Sequence, residues 1–319
     1  MTRRGWILSG LGAALLPAQE PQPKFSSEVK VVSVLATVRN RHGQIVKDLR
    51  REDFTIFEDN HLQTIRYFSA QTDLPLTLGL LVDTSGSMRR VLEAERGASF
   101  RFLDQLLRVD KDKAFVIHFD REIELLQDLT SSRQRLEVAV ASLEVFTPFS
   151  YPRPGFPGRR RGGTALYDAV YLAANEVMRK QQGRKALILL SDGEDNASRV
   201  NLSRAIESTQ MADTLVYCIH IADPYMAQMR GRRPMPGGVD GKKVLKRIAE
   251  ESGGGFFEGM TNEKSLAKTY RQIEDELRSQ YNLGYSSDPP AAVGEYHRIQ
   301  VKVRDKSLIV QNREGYYAR

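Results

Sequence analysis

The sequence predicts an α/β fold: a Rossmann-like, doubly wound, mostly parallel sheet, inserted in a small β-sandwich formed by the two chain ends. Three observations predict it. Two apolar runs, Leu80-Leu81-Val82 and Leu187-Ile188-Leu189-Leu190, end abruptly in polar groups, as strands buried on both faces of a parallel sheet do. After the first run the pattern turns helical from Val91, with Val91, Phe100, Phe102, Leu103, Leu106 and Leu107 at candidate apolar positions. Both chain ends are rich in β-branched residues and show no helical period.

The elements follow in order. Met1-Thr2-Arg3-Arg4, an apolar stretch from Trp6 to Leu16 and Pro17-Ala18 describe a signal peptide over 1–18, cut after Ala18. Thr2 to Leu8 also resembles a twin-arginine export signal with Trp6 in place of the usual Phe, and a Sec signal with two arginines is the alternative. A secreted, periplasmic or cell-envelope location is therefore expected. The apolar stretch is too short for a transmembrane helix, and no later run is long enough, so no membrane-spanning segment is expected once the signal is removed.

Residues 19–27 are polar and Pro-containing and read as a linker. The first half of the sandwich, 28–72, holds strand patterns at Val29–Val38, Phe54–Asp59 and Thr64–Phe68, with a turn at Asp59-Asn60. At about 45 residues this piece is too short to bury a good core alone. The second half, 281–319, supplies Tyr281–Tyr285, Tyr296–Val303 and Leu308–Val310. Between them, 73–280 reads as strand, helix, strand, strand, helix, helix, strand, helix, strand, helix, strand, helix. Ala114–Phe119 and Glu122–Leu126 lie too close for a crossover helix, so they must form a hairpin with one antiparallel edge strand.

Composition is ordinary for a globular protein of 319 residues, with 41% hydrophobic and 27% charged. The single cysteine, Cys218, lies in an apolar strand pattern and behaves there as a small hydrophobe. The net charge of +7 raises nucleic acid as a partner, but the arginine runs are too short for a basic stripe and no nucleic-acid motif occurs. No nucleic-acid partner is expected.

The most informative stretch is Asp83-Thr84-Ser85-Gly86-Ser87, at the carboxyl end of the first buried strand. Ligands bind at that edge of open α/β sheets. A carboxylate with two hydroxyls and no nearby Cys or His is a hard-oxygen set, suited to Mg²⁺, Mn²⁺ or Ca²⁺ rather than zinc. Asp, Ser and Gly also favour plain turns.

This DxSxS stretch resembles the metal-ion-dependent adhesion site (MIDAS) of von Willebrand factor A domains. In that family a distant Thr and a distant Asp complete the site. Thr164, in Gly162-Gly163-Thr164-Ala165-Leu166, and Asp192, in Ser191-Asp192-Gly193, fit those roles in the family's order. The resemblance covers roughly Leu74 to Gln280. It implies a metal site of Asp83, Ser85, Ser87, Thr164 and Asp192, with Mg²⁺ as cofactor (Mn²⁺ or Ca²⁺ also fitting) and one position open to a partner's carboxylate. The chain ends are similar to secreted bacterial proteins grouped as VWFA-related, through Asn40 to Phe68 and the closing Arg313-Glu314-Gly315-Tyr316-Tyr317; Asn40 stands where that family usually has Asp.

Two long loops should border the metal. One, Phe146 to Gly163, carries Arg159, Arg160 and Arg161; the other, Ala222 to Gly241, carries Arg230, Arg232 and Arg233. They would steer an anionic partner, or they are solvated surface.

Enzyme motifs do not stand out. G-x-S-x-G is absent around Ser85, and Gly253-Gly254-Gly255 lacks the Lys of a P-loop. His118 and His220 fit packing positions, with His220 close enough to the second loop to approach the site. The expectation is an exported adhesion or protein-binding module without catalysis, whose partner is an unidentified protein or anionic envelope ligand presenting a carboxylate. The alternatives are an envelope scaffold with a purely structural metal site, or an accessory subunit of a cation-dependent hydrolase.

Overall fold

The computed structural model describes residues 31–70, 74–88, 92–143, 163–221, 240–259 and 263–318, with backbone only at 93–95. The expected signal peptide and linker lie outside the described residues. The amino-terminal end contributes β1 (Val32–Arg39), β2 (Phe54–Glu58), β3 (His61–Gln63) and β4 (Ile65–Ser69). The middle of the chain forms β5 (Leu76–Asp83), α1 (Leu92–Leu106), β6 (Lys113–Phe119), β7 (Ile123–Thr130), α2 (Arg133–Ala141), α3 (Leu166–Leu172), β8 (Arg184–Ser191), α4 (Leu202–Met211), β9 (Leu215–Ile221), α5 (Gly241–Ser252), β10 (Phe256–Gly259) and α6 (Glu263–Arg278). The carboxyl end adds β11 (Tyr281–Tyr285), β12 (Tyr296–Val303), β13 (Ile309–Asn312) and β14 (Gly315–Tyr317).

The central sheet runs β10-β9-β8-β5-β6-β7, parallel except for the β6–β7 hairpin. Its element order is the one the sequence predicts. Every residue of β5 and β8 is buried, which explains their uninterrupted apolar runs. Alternate side chains point to opposite faces. Leu78, Leu80 and Val82 pack with Phe102, Leu103, Leu136, Tyr270 and Ile273 on one side. Leu81, Leu187 and Leu189 pack with Leu166, Val170, Ile206, Leu245 and Ile248 on the other. Cys218 is fully buried in this second layer, and burial pushes its thiol well up, away from reactivity.

The chain ends build two antiparallel sheets, β13-β1-β11-β4 and β14-β12-β2-β3. Each takes two strands from either end. They share one core, in which Val34, Ala36, Leu283 and Tyr285 of the first sheet meet Phe54, Ile56, Ile299 and Val301 of the second. β3 is an element the sequence reading lacks. Asp59 and Asn60 adopt φ of 47° and 68°, a two-residue turn that Asp and Asn tolerate, and β3 pairs back on β2 directly.

Polar links tie these sheets to the middle of the chain. Arg39 of β1 pairs with Glu276 of α6, and Arg313 pairs with Asp213. Gln280, entering β11, donates to the Tyr217 hydroxyl at 3.3 Å. No helix among the described residues is long and apolar enough to cross a membrane.

Candidate metal centre

β5 ends at Asp83, level with Phe119 of β6, and β8 ends beside it at Ser191. The chain leaves both strands at the same edge, so the turns that follow are neighbours. Asp83 is fully buried, and Ser85, Thr164 and Asp192 retain only 7%, 5% and 9% of their exposure. Ser87 is half-buried, in the 3₁₀ turn Gly86–Met88.

Each carboxylate organises its own turn. Asp83 Oδ1 accepts from the Ser85 amide at 2.9 Å, and Asp192 Oδ1 accepts from the Glu194 amide at 3.0 Å. The hydroxyl oxygens of Ser85 and Ser87 lie 3.1 Å apart. Ser191 Oγ donates to Asp83 Oδ2 at 2.6 Å and accepts from the Gly193 amide at 3.0 Å.

The segment carrying Thr164 is pinned from both sides. The Thr164 amide donates to Asn196 Oδ1 at 2.9 Å, and its carbonyl accepts from the amides of Asn196 and Ala197 at 3.1 Å. The next amide, Ala165, donates to the Asp120 carbonyl at 2.6 Å, just beyond Phe119. Thr164 is thereby held between the turn after β6 and the turn after β8. All three sequence segments meet at one edge of the sheet.

Gly193 sets how closely that edge is built. It has φ +80°, and a Cβ there would lie 2.2 Å from the carbonyl oxygen of Gly241, the first residue of α5. Gly241 in turn faces the Asp192 carbonyl, 2.2 Å from where its own Cβ would stand. Only two glycines permit this approach.

Burial raises the Asp83 carboxyl to about 7, with the negative charge of Asp192 as the second cause. Hydrogen bonds from Ser191 and Ser85 act the other way without offsetting it. Two buried carboxylates repelling each other amid neutral hydroxyls form a donor set that a hard divalent cation fits. His220, at the end of β9, lies level with Ser191 in the sheet register. Burial lowers its pKa while Asp192 acts to raise it. His118 Nδ1 lies 3.2 Å from the Thr84 hydroxyl and Nε2 3.2 Å from Glu124 Oε2.

The supports supplied by Ser191, Asn196 and the Asp120 carbonyl were missed in the sequence. Ser191 had a signal, a hydroxyl ending a buried strand beside Asp192; Asn196 and Asp120 had none. Arg159, Arg160, Arg161, Arg230, Arg232 and Arg233 lie outside the described residues.

Residues 78–194 match the sequence model of the von Willebrand factor type A domain, a span that includes all five candidate ligands. No curated protein sequence matches the chain. Among solved structures, proximal thread matrix protein 1 from the mussel byssus is similar at 15% identity and TM-score 0.51, over 69% of this chain and 51% of that one. The same mussel protein with a zinc-occupied MIDAS motif is similar at 16% identity and TM-score 0.50, over 68% and 48%. BatB from Bacteroides thetaiotaomicron is similar at 18% identity and TM-score 0.45, over 65% and 100%. This chain spans about half the length of the mussel protein.

Proposed function

Since the chain carries a von Willebrand factor type A domain, we propose that it is an exported, metal-dependent protein-binding module that captures an acidic group of its partner. One observation carries this reading: two buried carboxylates, Asp83 and Asp192, stand at the ends of adjacent strands on one sheet edge, near enough to repel each other. A dication would relieve that repulsion, which neutral hydroxyls alone do not.

Ser85, Ser87 and Thr164 would hold the cation through their hydroxyls, with Asp83 and Asp192 acting directly or through water. Mg²⁺ is the first choice because every donor is oxygen, and Mn²⁺ or Ca²⁺ suits the same set. The zinc in the MIDAS motif of the mussel protein supports a divalent cation in this kind of site. When bound, the cation supplies Lewis acidity at a coordination position that a carboxylate oxygen can fill. The protein's own part is to keep the site dry and its ligands fixed, through Ser191 on Asp83 and Asn196 on the Thr164 backbone. We assign it no catalysis.

Export rests on the amino-terminal pattern of two arginines, a short apolar stretch and Ala18. The arginines of the two long loops would favour an anionic partner by steering rather than by anchoring it. A pull-down from envelope extract tests the function. A partner retained in Mg²⁺, released by EDTA and not captured by Thr164→Ala is the expected result. Capture that is unaffected by EDTA would reject it.

A further inference from the structure

A second cluster of metal-ligating side chains lies away from the central sheet, in the sandwich. β2 ends in Glu58 and turns at Asp59, and β12 carries His297 in its second position. Ile299 lies opposite Glu58 in the register, so His297, two residues earlier, shares its face. The ligand atoms of Glu58, Asp59 and His297 all fall within 4.8 Å of one another. His297 Nδ1 stands 2.8 Å from Asp59 Oδ2 and 3.5 Å from Glu58 Oε1.

The surroundings fix these groups. The Arg298 amide donates to Asp59 Oδ1 at 2.9 Å, leaving Oδ2 turned to the imidazole. Ser287 Oγ donates to Glu58 Oε1 at 2.6 Å, and the Tyr316 hydroxyl donates to the same oxygen at 3.3 Å. The Glu58 side chain is only 4% exposed, yet its Oε2 has no hydrogen-bond partner among the described residues. The hydroxyl of Tyr285 lies beside this carboxylate, and burial and that neighbour together raise its pKa. A buried carboxylate oxygen left unpaired is costly, and one imidazole proton cannot serve two carboxylates.

We propose that Glu58, Asp59 and His297 form a second cation site, independent of the sheet edge, that takes a divalent transition metal, Zn²⁺ first. One imidazole nitrogen and two carboxylates suit zinc better than Mg²⁺ or Ca²⁺. The observed separations of 2.8 and 3.5 Å bracket the spacing of about 3.3 Å between tetrahedral ligands bound at roughly 2.0–2.1 Å. Asp59 is half-exposed and gives the metal a path in and a place for a water ligand. The site would clamp the β2–β3 hairpin to β12, joining residues 238 apart in the chain. Its role is structural: it locks the two chain ends together.

The test is Zn²⁺ titration of the full chain carrying Asp83→Ala, which removes the site at the sheet edge. One equivalent of Zn²⁺ should still bind and raise the unfolding temperature. Adding Glu58→Gln keeps the shape and the Ser287 hydrogen bond, and should weaken binding at least tenfold and abolish the thermal shift. Asp59→Asn, at a turn position that Asn tolerates, should do the same and replaces Glu58→Gln if that variant does not fold. Absence of Zn²⁺ binding in the Asp83→Ala chain, or equal binding after Glu58→Gln or Asp59→Asn, overturns the proposal. The cluster is then a hydrogen-bonded network completed by water.

Discussion

Ser191, at the end of β8, donates a 2.6 Å hydrogen bond to Asp83 Oδ2, at the end of the adjacent strand β5. The same hydroxyl receives the Gly193 amide, so it braces both acidic turns at once. Ser191→Ala removes a donor from a buried carboxylate. We expect a loss of about 1–3 kcal/mol in stability without metal, read by urea unfolding in EDTA. The Asp83 carboxyl should rise further, and the pH at which Mg²⁺ binding is half-maximal should rise with it.

The raised Asp83 carboxyl gives the wild-type site a pH dependence of definite sign. In the folded chain it titrates at about 7, against an ordinary value of 3.8. The native state therefore holds this proton more tightly than the unfolded chain. The stability it contributes is full below pH 3.8 and is lost as pH rises through about 7. A bound cation takes the proton's place, so Mg²⁺ affinity should fall below pH 7. Melts at pH 5 and pH 8, with Mg²⁺ and with EDTA, should show the metal stabilising the chain much more at pH 8. Equal stabilisation at both would count against the buried carboxylate pair.

Gly193→Ala should disrupt the turn after Asp192. Its φ of +80° and the Gly241 carbonyl 2.2 Å from the new Cβ leave no room without backbone movement. We expect a destabilised chain with weakened Mg²⁺ affinity. Gly43→Ala, also at positive φ but with nothing within 4 Å of its Cβ, should leave metal binding unchanged. Calorimetry on both variants separates turn strain in general from strain at this edge.

Much of this was legible in the sequence because burial on both faces writes itself as an apolar run. Leu187 to Leu190 and Leu80 to Val82 could hardly be anything but central strands, and the short spacing after Phe119 left only a hairpin. Asp83, Ser85 and Ser87 stand where the first of those runs stops, whereas Thr164 and Asp192 entered the candidate site through the resemblance to the von Willebrand factor A family. What was hidden depends on distance along the chain. Asn196 meets Thr164 across 32 residues, and His297 meets Asp59 across 238. Nothing local marks such partners. β3 escaped because a three-residue strand with two exposed positions carries too short an alternation to read.

The pairing of β1 and β2 with strands from the other end sets what fragments can do. Within residues 31–70, the strands pair with one another only as β2 with β3. A fragment of residues 19–70 should therefore be unfolded or aggregate. Residues 74–280 should fold, but with Glu276 stripped of Arg39. In the full chain, Arg39→Ala leaves that buried carboxylate unpaired, and we expect a loss of about 3 kcal/mol with Mg²⁺ affinity unchanged. Amide dispersion of the two fragments and urea unfolding of the variant provide the checks. A well-dispersed spectrum from 19–70 would refute the shared sandwich.

The most direct measurement is calorimetric titration of Mg²⁺ into the metal-free chain, beside Asp83→Ala and Thr164→Ala. We expect one equivalent bound by the parent chain, none detectable in Asp83→Ala and at least tenfold weaker binding in Thr164→Ala, with all three chains folded in EDTA. No Mg²⁺ or Mn²⁺ binding by the parent chain, or an Asp83→Ala variant that binds as well as it does, would contradict a metal-dependent site at the end of β5.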